Sequence, residues 1–363
     1  MPQLGESTID IEFVAPGSAS LKPILVRSGL VLGGLLVALL LTELSIRIFG
    51  LGPVFLEPLE IPSYRLSSQR SIGYEYRPNY RATDQPYDRS HTGIETNSHG
   101  FRDVEFEERK LDGVVRILVL GDSVTAGNGI RDPARTYPKV LERLLNEGIA
   151  ETRYQVLNMG VGGYHTSQEV ETLRHKGLAF DPDYVLLAFC LNDFSTNTDG
   201  GVYQRLLELN AESGGVEAAV ARDRWLLKHS RLAMLIAYYL GALSGGQGGD
   251  DPRDEGPGNV ARGLALLEEL RLQQAFRPLV FIVPAFDAPF DEYRYLKFHR
   301  RLREAAPPGN GIPILDLLPD FRASGVDATS LSRDGVHPNV EGHEMLAKLL
   351  LDELQRVFPE LRR

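Results

Sequence analysis

The chain has 363 residues, 43% hydrophobic and 24% charged, which is enough apolar material for one large core or two smaller ones. A formal net charge of -10 and a pI near 5.4 argue against a nucleic-acid partner, since phosphate binding requires a basic face. The single cysteine, Cys190, excludes an intramolecular disulfide, and at the end of an apolar run it suits a small buried hydrophobe better than a thiol nucleophile.

Residues 1–23 are polar or small, show no apolar period and read as a disordered tail. Residues 24–48 give the first strong signal, because between Ser28 and Ile46 the only charge is Glu43. Spanning a bilayer takes about 20 such residues. A buried core helix would carry a polar face, and a signal peptide would start earlier and end in a small-x-small cleavage site. A single transmembrane helix is therefore expected, with a cytoplasmic membrane as its partner. Lys22 and Arg27 precede it and Arg47 and Arg65 follow it, so charge does not set the topology. Residues 49–110, rich in Pro, Tyr and Arg, read as a juxtamembrane linker and an irregular lead-in.

A globular domain is expected over 111–363. Val115–Leu120 reads as a buried parallel strand, and Tyr137–Leu145 as a helix with Pro138 in its first turn. Tyr154–Asn158 is a second strand, Ser167–Leu178 a second helix and Asp183–Phe189 a third strand. An insertion over 194–258 follows, with an apolar helix Trp225–Leu243 and a glycine-rich loop Gly245–Gly258. The pattern resumes with a helix over Val260–Phe276, strands Pro278–Val283 and Ile312–Asp316, and a last helix Val340–Val357. Strands alternating with helices predict an α/β fold with a parallel sheet covered on both faces.

Four short motifs lie beyond the carboxyl ends of predicted strands or in the last loop, where open parallel sheets bind ligands. Gly121-Asp-Ser-Val124 follows the first core strand; Ser123 suits a nucleophile whose own N–H helps hold an oxyanion, and equally a helix cap. Asn158-Met-Gly-Val-Gly-Gly163 follows the second strand; it misses the third glycine of a dinucleotide fingerprint, and its glycines can admit backbone N–H groups to a negative charge or merely shape a turn. Asn192-Asp193 follows the third, offering a neutral amide donor or an Asx turn. Asp334-Gly-Val-His337 precedes the last helix and pairs an imidazole base with a carboxylate that can orient it.

Taken together, these four motifs resemble the blocks of the SGNH (GDSL-type) hydrolase family, in a bacterial member with an N-terminal membrane helix, over about Arg116–Phe358. The resemblance implies a three-layer α/β/α sandwich with a five-stranded parallel sheet, flavodoxin-like in type. It further implies Ser123, Asp334 and His337 as catalytic residues and Ser123 N–H, Gly163 N–H and the Asn192 amide as oxyanion donors. One departure is Cys190-Leu-Asn-Asp where the family usually has Gly-x-Asn-Asp. The upstream Asn97-Ser-His-Gly-Phe-Arg102 is similar to a lead-in of members whose domain is extracytoplasmic.

The expected activity is hydrolysis of an acetyl or short acyl ester, on a small molecule, glycan or lipid, through an acyl-enzyme on Ser123. An O-acyltransferase of cell-surface polysaccharide would use the same residues, differing only in acceptor. A non-catalytic membrane scaffold or glycan-binding module is a third reading. The eight histidines show no ligand spacing, so neither a metal nor a cofactor is expected.

Overall fold

Three largely aliphatic runs, Val115–Leu120, Tyr184–Phe189 and Arg277–Ile282, form the framework of the molecule because they are buried on both faces. The computed structural model describes residues 21–49, 63–81, 94–149, 153–194, 257–309 and 311–361, with a few positions between 202 and 236. The expected tail up to residue 20, the linker 50–62 and nearly all of the insertion, including most of Trp225–Leu243 and the Gly245–Gly258 loop, lie outside the described residues.

Helix α1 (Leu21–Phe49) contains the predicted span. Its Val26–Ile48 segment has a mean hydropathy of 2.2 and is 6% buried, and at about 1.5 Å per residue it is long enough to cross a membrane. Glu43 is ion-paired one turn on with Arg47 at 2.6 Å, and accepts hydrogen bonds from Ser230 Oγ at 2.9 Å and the Leu232 N–H at 2.8 Å. The charge in the apolar helix is thus spent inside the chain.

Strands β1 (Tyr64–Leu66) and β2 (Tyr74–Tyr76) pair antiparallel in the lead-in that the sequence had suggested was irregular. Three-residue strands are too short to show an alternating pattern. Next come β3 (Val115–Leu120), the one-turn helix α2 (Ser123–Ala126), α3 (Tyr137–Asn146), β4 (Tyr154–Asn158), α4 (Thr166–His175) and β5 (Tyr184–Phe189). After the insertion come α5 (Pro257–Gln273), β6 (Arg277–Ile282), α6 (Leu296–Ala305), β7 (Ile314–Asp316), α7 (Leu318–Ala323) and α8 (Val340–Val357).

The sheet is five-stranded and parallel throughout, in the order β4-β3-β5-β6-β7. One apolar layer, including Ile117, Val119, Leu186 and Phe281, packs under α3 and α8. The opposite layer, including Leu118, Leu187 and Val280, packs with Val170 of α4 and Leu264 and Leu267 of α5. The three-layer α/β/α architecture is as expected. Helix α4 ends three residues sooner than the pattern predicts and passes into a 3-10 turn, Gly177–Phe180. There a side chain at Gly177 would meet Leu173 and Leu118 at about 3 Å, so the chain runs flush with the sheet.

The chain leaves β3 toward β4 on one side and returns to β5 on the other. The β3/β5 crevice is therefore the switch point, where the loops diverge and a ligand fits outside the strand ends.

Candidate active site

Strand β3 ends at Gly121, where no other residue fits: a Cβ would lie 2.0 Å from Thr125 Oγ1. The chain then turns tightly, and Asp122 caps α2 by accepting from the Val124 N–H at 2.9 Å. Ser123 is the first helical residue. The helix stops after one turn at Gly127, in the left-handed region with φ +79°. Its final carbonyls, Ala126 and Gly127, accept from the buried Arg102 guanidinium at 2.7 and 2.5 Å, and Ile130 O accepts from the same group. A cation at a helix carboxyl end also complements the helix dipole.

The glycine turn after β4 is stitched to α2. Asn158 donates to Thr125 O at 2.8 Å and accepts from the Gly160 N–H at 3.0 Å, while the Val161 N–H donates to Gly121 O at 3.0 Å. A side chain at Gly160 would sit 2.3 Å from the Ala126 nitrogen, so this turn lies directly against the nucleophile helix. Tyrosines of the β1–β2 hairpin hold the turn from outside. Tyr74 donates to Gly162 O at 2.9 Å, and Tyr76 accepts from the Gly162 N–H at 3.2 Å. Tyr64 stacks on Tyr76 with ring centroids 4.7 Å apart. Gly163 follows with φ +79°.

His337 lies 214 residues beyond Ser123, yet its Nε2 is 2.9 Å from Ser123 Oγ. Its Nδ1 is 2.6 Å from Asp334 Oδ2. The other Asp334 oxygen accepts from the N–H groups of Val336 and His337 at 2.8 and 2.7 Å. Gly335, with φ +78°, lets the loop close this way. Burial alone would raise the Asp334 carboxyl, but the hydrogen bond and charge of His337, together with the two N–H donors, outweigh it and hold it at about 2. The carboxylate is therefore anionic at any working pH.

Asn192 sits in a 3-10 turn, Leu191–Phe194, and donates one amide hydrogen to Asp122 Oδ2 at 2.9 Å. An amide has two, so this bond orients the group and leaves a second to point elsewhere. Ser123, Gly163, Asn192 and His337 are each partly exposed, whereas Asp122, Val124, Gly162 and Asp193 beside them are buried. The fold thus brings the predicted residues to one rim at the switch point, with Asp334 behind them.

Cys190 is buried and its thiol is pushed well up by that burial and by the neighbouring carboxylates, so it is no thiolate nucleophile. His343 accepts from the Tyr137 N–H at 3.0 Å; burial, then the positive fields of Arg102 and His337, lower it to about 3, which keeps it neutral.

Three contributors, Arg102, Tyr74 and Tyr76, were not legible as site residues. Arg102 closes the lead-in motif, in which Asn97 Oδ1 accepts from the His99 and Phe101 N–H groups at 3.1 and 3.0 Å. The tyrosines at 74 and 76 carry a weak signal, two aromatics two residues apart after a Gly turn. Replacing Arg102 with Met should destabilise the fold by about 3–5 kcal/mol, because three buried carbonyls lose their donor. Denaturant unfolding of the two proteins measures this; an unchanged midpoint would mean that the contacts are dispensable.

A parallel α/β/α sheet with a serine, an imidazole and a carboxylate joined at its switch point defines a hydrolase of the serine type. The chain belongs to the GDSL-like lipase/acylhydrolase family, whose sequence model matches residues 119–345, and is accordingly a serine ester hydrolase. No curated protein sequence matches it significantly. Solved structures similar to it include a catalytic mutant of the acetylxylan esterase Axe2 from Geobacillus stearothermophilus. That likeness has 17% identity, covers 68% of this chain and 96% of the other, and has a TM-score of 0.41. The α/β hydrolase LAE5, from the metagenome of Lake Arreo, Spain, has 17% identity over 66% and 94% of the chains, with a TM-score of 0.42. The acetyl xylan esterase AlAXEase has 17% identity over 66% and 100%, with a TM-score of 0.39.

Proposed function

We propose that this chain is a membrane-anchored esterase in which Ser123 forms an acyl-enzyme. The observation that carries the reading is the continuous relay from Ser123 Oγ through His337 to Asp334, with spacings of 2.9 and 2.6 Å. In this reading Ser123 Oγ attacks the ester carbonyl as His337 Nε2 takes its proton, and His337 then returns the proton to the departing alcohol. Water, deprotonated by the same nitrogen, attacks the acyl-serine, and the carboxylic acid leaves as Ser123 is reprotonated. Asp334 holds the Nδ1–H tautomer and stabilises the imidazolium. The N–H groups of Ser123 and Gly163 and the Asn192 amide stabilise the oxyanion, and losing one such donor costs about 3 kcal/mol.

The substrate proposed is an acetyl or short acyl ester of a hydroxylated alcohol, on a glycan or lipid. A cavity of about 590 Å³ lies beyond the glycine turn; Ser123 does not line it, but His165, two residues after Gly163, does. Arg70, Gln168, Glu171, Arg262 and Glu269 also line it, a wall of mixed donors and acceptors that can meet hydroxyl groups. Helix α1 supports anchorage in a membrane. The membrane proposed is the cytoplasmic one, and the similarity of the Asn97–Arg102 lead-in is the ground for proposing a catalytic domain outside the cytoplasm.

A fluorophosphonate probe should label the detergent-solubilised protein, and Ser123→Ala should abolish labelling while an acetyl chromogenic ester ceases to be cleaved. A folded protein that resists the probe sinks the reading. Product analysis with an added oligosaccharide should show free acetate; acylated sugar would move the assignment to transfer.

A further inference from the structure

We infer that Glu169 holds a proton at neutral pH, so that it adds no charge beside Asp193, and in this neutral form positions Asn192 for the ester hydrolysis proposed above, on which reading the inference rests. Glu169 lies on the sheet-facing side of α4 and is 1% exposed; Asp193 is fully buried in the turn after β5, and Asp122, after β3, is 1% exposed. Both Glu169 oxygens are buried without a donor. The other titratable groups facing this space are Cys190 after β5, Tyr137 of α3 and Tyr164 of the glycine turn. None of these is a cation, and among the described residues no Lys, Arg or His pairs with the three carboxyls. Nor, among the described residues, do any three acidic, His or Cys side chains stand so as to hold a metal ion.

Two adjacent buried carboxylates without counter-charge cannot both stay ionised. A proton neutralises one, and Glu169, both of whose oxygens are buried without a donor, is the one that takes it. Consistent with this, burial and then the charges of Asp193 and Asp122 push the Glu169 carboxyl well above the usual range. Asp193 is likewise raised, by burial and then Asp122, against the Cys190 N–H and the Thr166 hydroxyl that lower it.

Asn192 depends on both flanks of this cluster. Asp193 Oδ2 accepts from the Cys190 N–H at 3.1 Å, and its own N–H donates to Cys190 O at 3.1 Å, which fixes the turn that carries Asn192. The Asn192 amide in turn donates to Asp122. Ionising Glu169 would add a negative charge beside Asp193 and Asp122 in one dry space, disturbing the side chains that define the amide's direction. It would also oppose the oxyanion itself. Glu169 is thus a positioning residue, acting through Asp193.

The tests are difference infrared spectroscopy of the wild type against Glu169→Gln, and pH profiles of both with a chromogenic acetyl ester. The wild type should show a protonated-carboxyl C=O stretch at neutral pH that disappears in Glu169→Gln. Glu169→Gln, which keeps a donor, should hold kcat within about threefold yet lose the decline on the alkaline side. Glu169→Leu should lower kcat by about 10²-fold with little change in KM, the loss expected when a reacting group is misplaced by about 1 Å. Because a buried acid with a raised proton affinity stabilises most below the usual glutamate range and loses that contribution as pH rises, Glu169→Gln should gain stability relative to wild type under alkaline conditions. Absence of the infrared band, or identical pH profiles, overturns the inference. An inactive wild type that still shows the band overturns the esterase reading instead, so the two failures are distinguishable.

Discussion

Replacing either Ser123 or His337 with alanine should lower kcat on an acetyl ester by about 10⁶-fold, and the double variant should be no worse than either alone. The 2.9 Å contact makes the two one device: the hydroxyl is a poor nucleophile until the imidazole takes its proton, and it is that same proton which the imidazole would hand to the departing alcohol. Residual catalysis of about 10³-fold over water should persist in each variant, because the proposed Gly163 and Asn192 donors remain. Both positions are partly exposed and Ser123 carries no packing burden, so thermal unfolding should hardly move. Pre-steady-state measurement of acyl release separates the roles. Additive losses in the double variant would mean that the two groups act independently and would refute the relay.

The second large effect is Asp334→Asn, which should cost about 10⁴-fold in kcat at neutral pH. The asparagine oxygen can still accept from the Val336 and His337 N–H groups, so the loop should keep its shape. Its NH2, however, would face His337 Nδ1 as a donor. That forces the proton onto Nε2, where it can no longer accept from Ser123. In the wild type Asp334 keeps its charge down to about pH 2, so a fall in activity on mild acidification reports some other group. The sign for stability follows: the Asp334 contribution is complete above its ordinary value of 3.8 and is lost as pH falls through about 2. An acid-unfolding curve of Asp334→Asn should lack that component. A loss of only a few-fold in kcat would show that the tautomer is set elsewhere.

The core strands were legible because parallel strands covered on both sides read as unbroken aliphatic runs; β3 and β4 fall where the pattern put them, and α8 likewise. The four motifs could be placed because each follows such a strand or precedes that helix. What stayed hidden was held by contacts distant in sequence. Nothing near Arg102 announces that its guanidinium will close a helix 24 residues on. Helix α6 was missed because its Leu-Lys-Phe-His-Arg-Arg run is mostly charged outside, with Phe298 and Leu302 as buried anchors. Glu169 lies in a polar stretch, Thr-Ser-Gln-Glu, that reads as a solvent-facing turn of helix, whereas the fold turns it inward.

The β1–β2 hairpin that grips the glycine turn also sets a leash. Residues 50–63 are the covalent link from α1 to a strand fastened beside the nucleophile, and that many residues reach about 50 Å at full stretch. With α1 embedded as proposed, the cleft would patrol only a thin shell next to the bilayer, and esters fixed to lipids or polymers beyond that radius would be out of its reach.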